Sequence, residues 1–151
     1  MEQLRQAIHG CGSIPYQQRS LLPKLISLEQ GAFVRGRSIS KSIALAQEVF
    51  RDIGNKVKGG NVVLELDLEK AYDRVDWSFL TGVLRKFGFS EQWIQLVDKC
   101  WSNCWFSVLI NGESCGFFKS SPGLRQGDPI SPNLFILLTE ALSRSFRRLT
   151  E

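Results

Sequence analysis

The stretch LELDLEKAYDRVDW, Leu64 to Trp77, sets five carboxylates among apolar residues in a chain whose formal net charge is +4. Asp67 is the one that demands an explanation. The preceding NVVLELDL reads as a strand in which Leu64, Leu66 and Leu68 share one face while Glu65 and Asp67 lie on the other. A carboxylate at the end of a buried strand costs free energy unless it is paired, hydrogen-bonded or bound to a cation. Two kinds of partner fit. Either Asp67 caps the following helix or pairs with Lys70, or it ligates a metal such as Mg²⁺, which takes a few carboxylate oxygens together with substrate phosphates. A strand end is a rigid place from which to offer that oxygen.

A second group of residues with chemical potential is the Gly/Pro-rich loop SSPGLRQGDPISP, residues 120–132. Gly127 lets backbone come close to a substrate, Pro129 and Pro132 stiffen the loop, and the Gln126 amide both donates and accepts. The same loop also starts a helix, because Ser131 reads as a cap and Pro132 as the first helical residue before NLFILLTEALSRSFRRL. A rigid capping loop and a positioning loop are compatible roles.

The elements that must hold these residues emerge from periodicity. Ile39, Ile43, Ala46 and Phe50 recur at helical spacing between Ser38 and Ile53, and Gly54, Gly59 and Gly60 break the pattern beyond them. Asp76 caps a helix to about Phe87, where Gly88 supplies the stop, and Ser90 caps another to about Trp101. FSVLINGESCGFF reads as a hairpin turning at Asn111 and Gly112, since both central positions of that turn want positive φ.

Composition narrows the classes. With 151 residues, 43% hydrophobic and 23% charged, the chain is an ordinary globular domain with a core. A pI near 9.0 is compatible with a polyanionic partner. No apolar run reaches bilayer length and MEQLRQAIHGCGS lacks a secretory apolar core, so no membrane partner is expected and the expected location is intracellular. Cys11, Cys100, Cys104 and Cys115 form no CxxC pair and His9 is the single histidine, which leaves little for a zinc site.

Taken together these segments resemble a known family. LDLEKAYD resembles the first palm motif of reverse transcriptases, in which an Asp ending a strand is followed five positions later by an aromatic residue, and GLRQGDPISP resembles their second. With LISLEQGAFVRGRSI upstream and GFSEQWIQLVDKCWSNCWFSVLINGESCGFF between, the chain is most similar to the polymerase of non-LTR retrotransposons, from about Leu21 to its last residue. Several motifs in order are more specific than any one of them.

The resemblance implies an α+β fold, the fingers and partial palm of a right-hand polymerase, with helices packed on a small antiparallel sheet. It divides the chain into an unmatched segment 1–20 and a partial reverse transcriptase domain 21–151. In this family a primer 3′-hydroxyl attacks the α-phosphate of a deoxynucleotide between two Mg²⁺ ions, so the partners implied are an RNA template, a DNA primer and deoxynucleotides. Asp67 matches the Asp that bridges both metals, and the Leu68 backbone carbonyl a further ligand. Tyr72 matches the aromatic under the sugar, where a 2′-hydroxyl would collide with it; read alone, it is a core aromatic. Gln126 and Gly127 match residues near the incoming nucleotide and templating base, Arg125 a phosphate contact, and Arg35 and Arg37 a fingers segment meeting template backbone or triphosphate. RSFRRL near the end reads as an exposed basic helix face.

Departures from the pattern set the expectations for activity. Lys41, Ser42 and Ile43 stand where the family has Asp-Asn-Ile, so a base replaces an acid. The third palm motif, Tyr-Ala-Asp-Asp, has no counterpart, and no two Asp residues are adjacent anywhere in the sequence. Asp73, Asp76 and Asp128 are not evident substitutes. The expectation is therefore a fragment of an RNA-directed DNA polymerase, inactive alone without further palm and thumb. The alternatives are a nucleic-acid-binding remnant without metal chemistry, and a pseudogene product.

Overall fold

The computed structural model describes residues 22–56 and 58–150; the N-terminal segment 1–20, with His9 and Cys11, lies outside the described residues. After helical residues 22–25 come α1 (Ile39–Asp52), α2 (Trp77–Lys86), α3 (Glu91–Ser102), β1 (Trp105–Ile110), β2 (Glu113–Lys119) and α4 (Ser131–Thr150). The architecture is mixed α+β, with a two-stranded antiparallel sheet among the described residues. No helix among them is long and apolar enough to cross a membrane.

Local chemistry places most boundaries. The Asp76 carboxylate accepts the Phe79 amide at 2.7 Å and starts α2. Gly88, at φ +84°, turns the chain out of that helix. The Ser90 hydroxyl accepts the Trp93 amide at 3.3 Å and starts α3. The β1–β2 turn has Asn111 at φ +52° and Gly112 at φ +86°, the mirror-image turn whose twist matches that of the strands. Helix α4 begins one residue before the expected position, because the Ile130 carbonyl accepts the Leu134 amide at 3.1 Å. Ile130 thus holds the cap position in place of Ser131, fixed there by its own N–H donating to the Asp128 carboxylate at 3.0 Å.

The expected strand at 61–68 does not form as a ladder. These residues carry no strand hydrogen bonds, and Leu64 (70% exposed), Leu66 and Leu68 face solvent. Branched residues in alternation favour a strand, but its N–H and C=O groups need a neighbouring strand, and β1 and β2 pair with each other. Nor do the helices pack on the sheet. The fully buried side chains Leu80, Leu84, Ile94, Val97, Leu134, Ile136 and Leu137 belong to α2, α3 and α4, and no residue of β1 or β2 is buried. A two-stranded ribbon is too narrow to cover an amphipathic helix, whereas three helices can bury one another's apolar stripes. Helix α1 is amphipathic too, yet none of its residues is buried.

Residues 22–37 are tied to α4 by a buried carboxylate. Glu140 (3% exposed) accepts from the Ser27 amide at 3.1 Å, the Ser27 hydroxyl at 2.7 Å and Arg144 Nε at 2.7 Å. Arg144 Nη2 donates onward to the Leu25 carbonyl at 2.6 Å. Burial pushes the Glu140 carboxyl up, but the hydrogen bonds from Arg144 and Ser27 together outweigh it and hold the group below its usual value.

Candidate functional site

Asp67 sits in the extended, exposed segment just before the turn that leads to α2. Neither structural explanation for it is realised, since Asp76 caps α2 and no ion pair forms between Asp67 and Lys70. Its carboxylate has no hydrogen bond or ion pair among the described residues. Leu68 follows it, half-exposed, on the rim of a groove between α2 and α4. Among the described residues no three His, Cys, Asp or Glu side chains converge to hold a metal, so Asp67 offers one ligand and not a set.

Five positions on, Tyr72 is fixed. Its ring stacks on Phe135 of α4, with centroids 4.8 Å apart and planes 21° from parallel. Burial against the helical core raises its hydroxyl above the usual phenol range. Core packing is the property that the residue alone suggested, and it also immobilises the ring.

The loop of the second motif docks onto this same segment. The Leu124 amide donates to the Tyr72 carbonyl at 2.8 Å, and the Trp77 indole N–H donates to the Gly123 carbonyl at 2.8 Å. Gly123 has φ +128°, and a Cβ there would lie 3.0 Å from the Asp73 carbonyl oxygen and 3.2 Å from that of Tyr72. Only glycine permits both the backbone angle and the approach. Segments some 50 residues apart in sequence thereby become one rigid unit.

The loop's functional candidates divide by environment. Gln126 and Gly127 are exposed, Gly127 at φ +85°. Arg125 is half-buried, its guanidinium over the Phe106 ring at 5.0 Å, and its Nε is buried without a hydrogen-bond partner. A cleft of about 240 Å³ opens beside it, walled by Trp77, Trp101, Phe106 and Phe118.

Arg35 and Arg37 part company. Arg35 is exposed, with no hydrogen bond or ion pair among the described residues. Arg37 is spent internally: Nη1 donates to the Gln30 carbonyl at 3.0 Å and to that of Ser27, and Nη2 to Ile26 at 3.0 Å and Pro23 at 3.4 Å. An arginine with its terminal nitrogens committed to four carbonyls holds a turn, and has little left for phosphate.

Sequence reasoning missed Trp77 and Gly123 as the tie between the motifs. Gly123 directly before LRQGDP could have been read as a close-approach glycine, whereas nothing in the spacing of Trp77 marks its indole as a loop anchor.

Known proteins are similar to this chain over most of its length. The family model described as "Reverse transcriptase (RNA-dependent DNA polymerase)" matches residues 15–150. The chain is similar to the "Transposon TX1 uncharacterized 149 kDa protein" of Xenopus laevis, 29% identical over 128 residues, which are 85% of this chain and 10% of that protein. It is similar to the "Uncharacterized mitochondrial protein AtMg01250" of Arabidopsis thaliana, 56% identical over 50 residues, 32% of this chain and 41% of that one. A third similarity is to the "Retrovirus-related Pol polyprotein from type-1 retrotransposable element R2" of Popillia japonica, 29% identical over 83 residues, 54% of this chain and 14% of that one. The chain thus spans between about a tenth and two fifths of the length of these relatives.

Proposed function

This chain belongs to the reverse transcriptase family, and from that premise we propose that it carries the nucleotide- and template-facing part of an RNA-directed DNA polymerase of the non-LTR retrotransposon kind. Residues 21–151 are then fingers and the first half of a palm. The observation that carries this reading is the docking of the 123–127 loop on Tyr72–Trp77 through Leu124 and Trp77, because it joins the two motifs that nucleotide addition needs side by side.

Each residue then has a task. Asp67 and the Leu68 carbonyl would hold Mg²⁺, which when bound supplies charge stabilisation to the attacking and leaving oxygens of an in-line displacement. Tyr72, braced by Phe135, sets its ring against C2′ of the nucleotide and rejects a 2′-hydroxyl by collision. Gln126 and Gly127, at the exposed crest of the loop, face the nucleotide and the templating base, and Arg125 lies beside them toward phosphate. Arg35 meets template backbone, while Arg37 positions the segment that bears it. Catalysis needs carboxylates beyond Asp67, so residues 1–151 alone do not extend a primer.

The absence of a converging acidic cluster among the described residues favours one further reading, a nucleic-acid-binding unit without chemistry of its own. Both readings require contact with nucleic acid. Fluorescence anisotropy with an RNA-template, DNA-primer duplex should show weak, sequence-independent binding that falls steeply as salt rises, since Lys and Arg contacts to phosphate drive it. No binding at low salt, or binding indifferent to salt, would refute the reading.

A further inference from the structure

The cleft between the β1–β2 hairpin and the second-motif loop sets Arg125 and Gln126 against aromatic walls that have no role assigned above, and its chemistry is specific. Its walls are aromatic. Phe106 and Phe118 face each other across the strands with centroids 5.7 Å apart, and behind them Trp77 and Trp101 stack at 6.5 Å. Phe118 lines the cleft and is 52% exposed, so its side chain is accessible to a guest. Arg125, Gln126 and Asp73 line it, and none makes a side-chain hydrogen bond or ion pair among the described residues, although the Arg125 guanidinium lies over the Phe106 ring at 5.0 Å. The Arg125 Nε is buried with no acceptor, a cost that a bound ligand would relieve.

We propose that this cleft receives one unpaired nucleobase of a single-stranded nucleic acid, a reading that rests on the chain's contact with nucleic acid. Size favours a base over a whole nucleotide, since about 240 Å³ falls below the usual range of roughly 300–1,000 Å³ for sites that enclose a complete small ligand. Charge favours a base over a bare phosphate. The Asp73 carboxylate would repel an anion, whereas the Gln126 amide, donor and acceptor at once, together with an acceptor on Asp73 matches the mixed edge of a base. Lys119, exposed at the mouth, is left for the phosphate that the base brings with it. Aromatic rings for bases beside cations for the backbone are the general means of holding single strands.

The test compares a short single-stranded RNA with a strand of the same length made of abasic units, by anisotropy at one fixed salt concentration. The base-bearing strand should bind about fivefold tighter or more, the contribution of one stacked base. Phe118→Ser and Phe118→Leu, both at an exposed position outside the buried core, should each erase that ratio while leaving binding of the abasic strand unchanged. Equal affinity for the two strands, or a ratio unchanged in both variants, would overturn the cleft while leaving the family reading in place. Failure to bind either strand would overturn both.

Discussion

Replacing Glu140 by alanine should detach residues 22–37 from the helical core and destabilise the whole domain. The carboxylate accepts two bonds from Ser27 and one from Arg144. Hydrogen bonds to a charged group contribute about 1.5–3 kcal/mol each when made, but they are not additive, and the buried carboxylate pays for its own desolvation. Arg144 is half-exposed, which reduces its share to the surface range of about 0.5 kcal/mol. A loss of about 2–4 kcal/mol is the balance, a large fraction of the ~5–15 kcal/mol typical of a folded domain. Glu140→Gln, which keeps one acceptor oxygen for Ser27, should lose less. The pH dependence has a definite sign. The folded carboxyl lies below the usual glutamate value of about 4.3, so its contribution is complete above that value and fades as pH falls through the lower folded one. Urea unfolding followed by far-UV circular dichroism, repeated at neutral and acid pH, measures both effects. A Glu140→Ala variant within about 0.5 kcal/mol of the parent at neutral pH would refute the idea that this carboxylate is the clasp.

Gly123→Ala should cost about 1–3 kcal/mol, because it adds a Cβ 3.0 Å from the Asp73 carbonyl at φ +128°, and amide exchange at Leu124 should quicken as the loop lifts off Tyr72; unchanged exchange would mean the docking is incidental. In a longer polypeptide that also carries a third palm motif, Asp67→Asn should abolish nucleotide addition yet leave the unfolding midpoint unchanged, since the side chain is exposed and unpartnered; near-normal incorporation would remove Asp67 from the metal site. In the same polypeptide Tyr72→Ala should raise ribonucleotide use relative to deoxynucleotide use, read from paired incorporation assays; unchanged discrimination would leave Tyr72 as a core aromatic alone.

What could be read from sequence was local. Asp76 and Ser90 announce their helices because a cap bonds to backbone three residues away, and Asn111-Gly112 announces the hairpin because its turn needs two positive φ angles. Ser131 missed the cap by one residue because an Asp128 side chain reached forward to the Ile130 amide, a bond that pattern alone does not reveal. The non-local features were not legible. Alternation in 61–68 specifies strand-like side chains without specifying a neighbour to pair with, and the amphipathic helices found each other instead of the ribbon. Arg35 and Arg37 are indistinguishable as letters in FVRGRS, yet one is exposed and the other is spent on four carbonyls of the preceding turn. The resemblance implied separate roles for Tyr72 and Gln126, while the Trp77–Gly123 bond that holds their segments together lay in a tryptophan no pattern singled out.

Primer extension by residues 1–151 on an RNA template, with millimolar Mg²⁺ and labelled deoxynucleotides, tests the central claim most directly. One carboxylate does not hold two metal ions at the roughly 3.5–4 Å spacing that in-line displacement requires. The predicted result is no added nucleotide at any metal concentration, from protein that still binds the same primer–template at low salt. A ladder of extended products that disappears in Asp67→Asn would contradict it, and would mean that another acid of this chain completes the site.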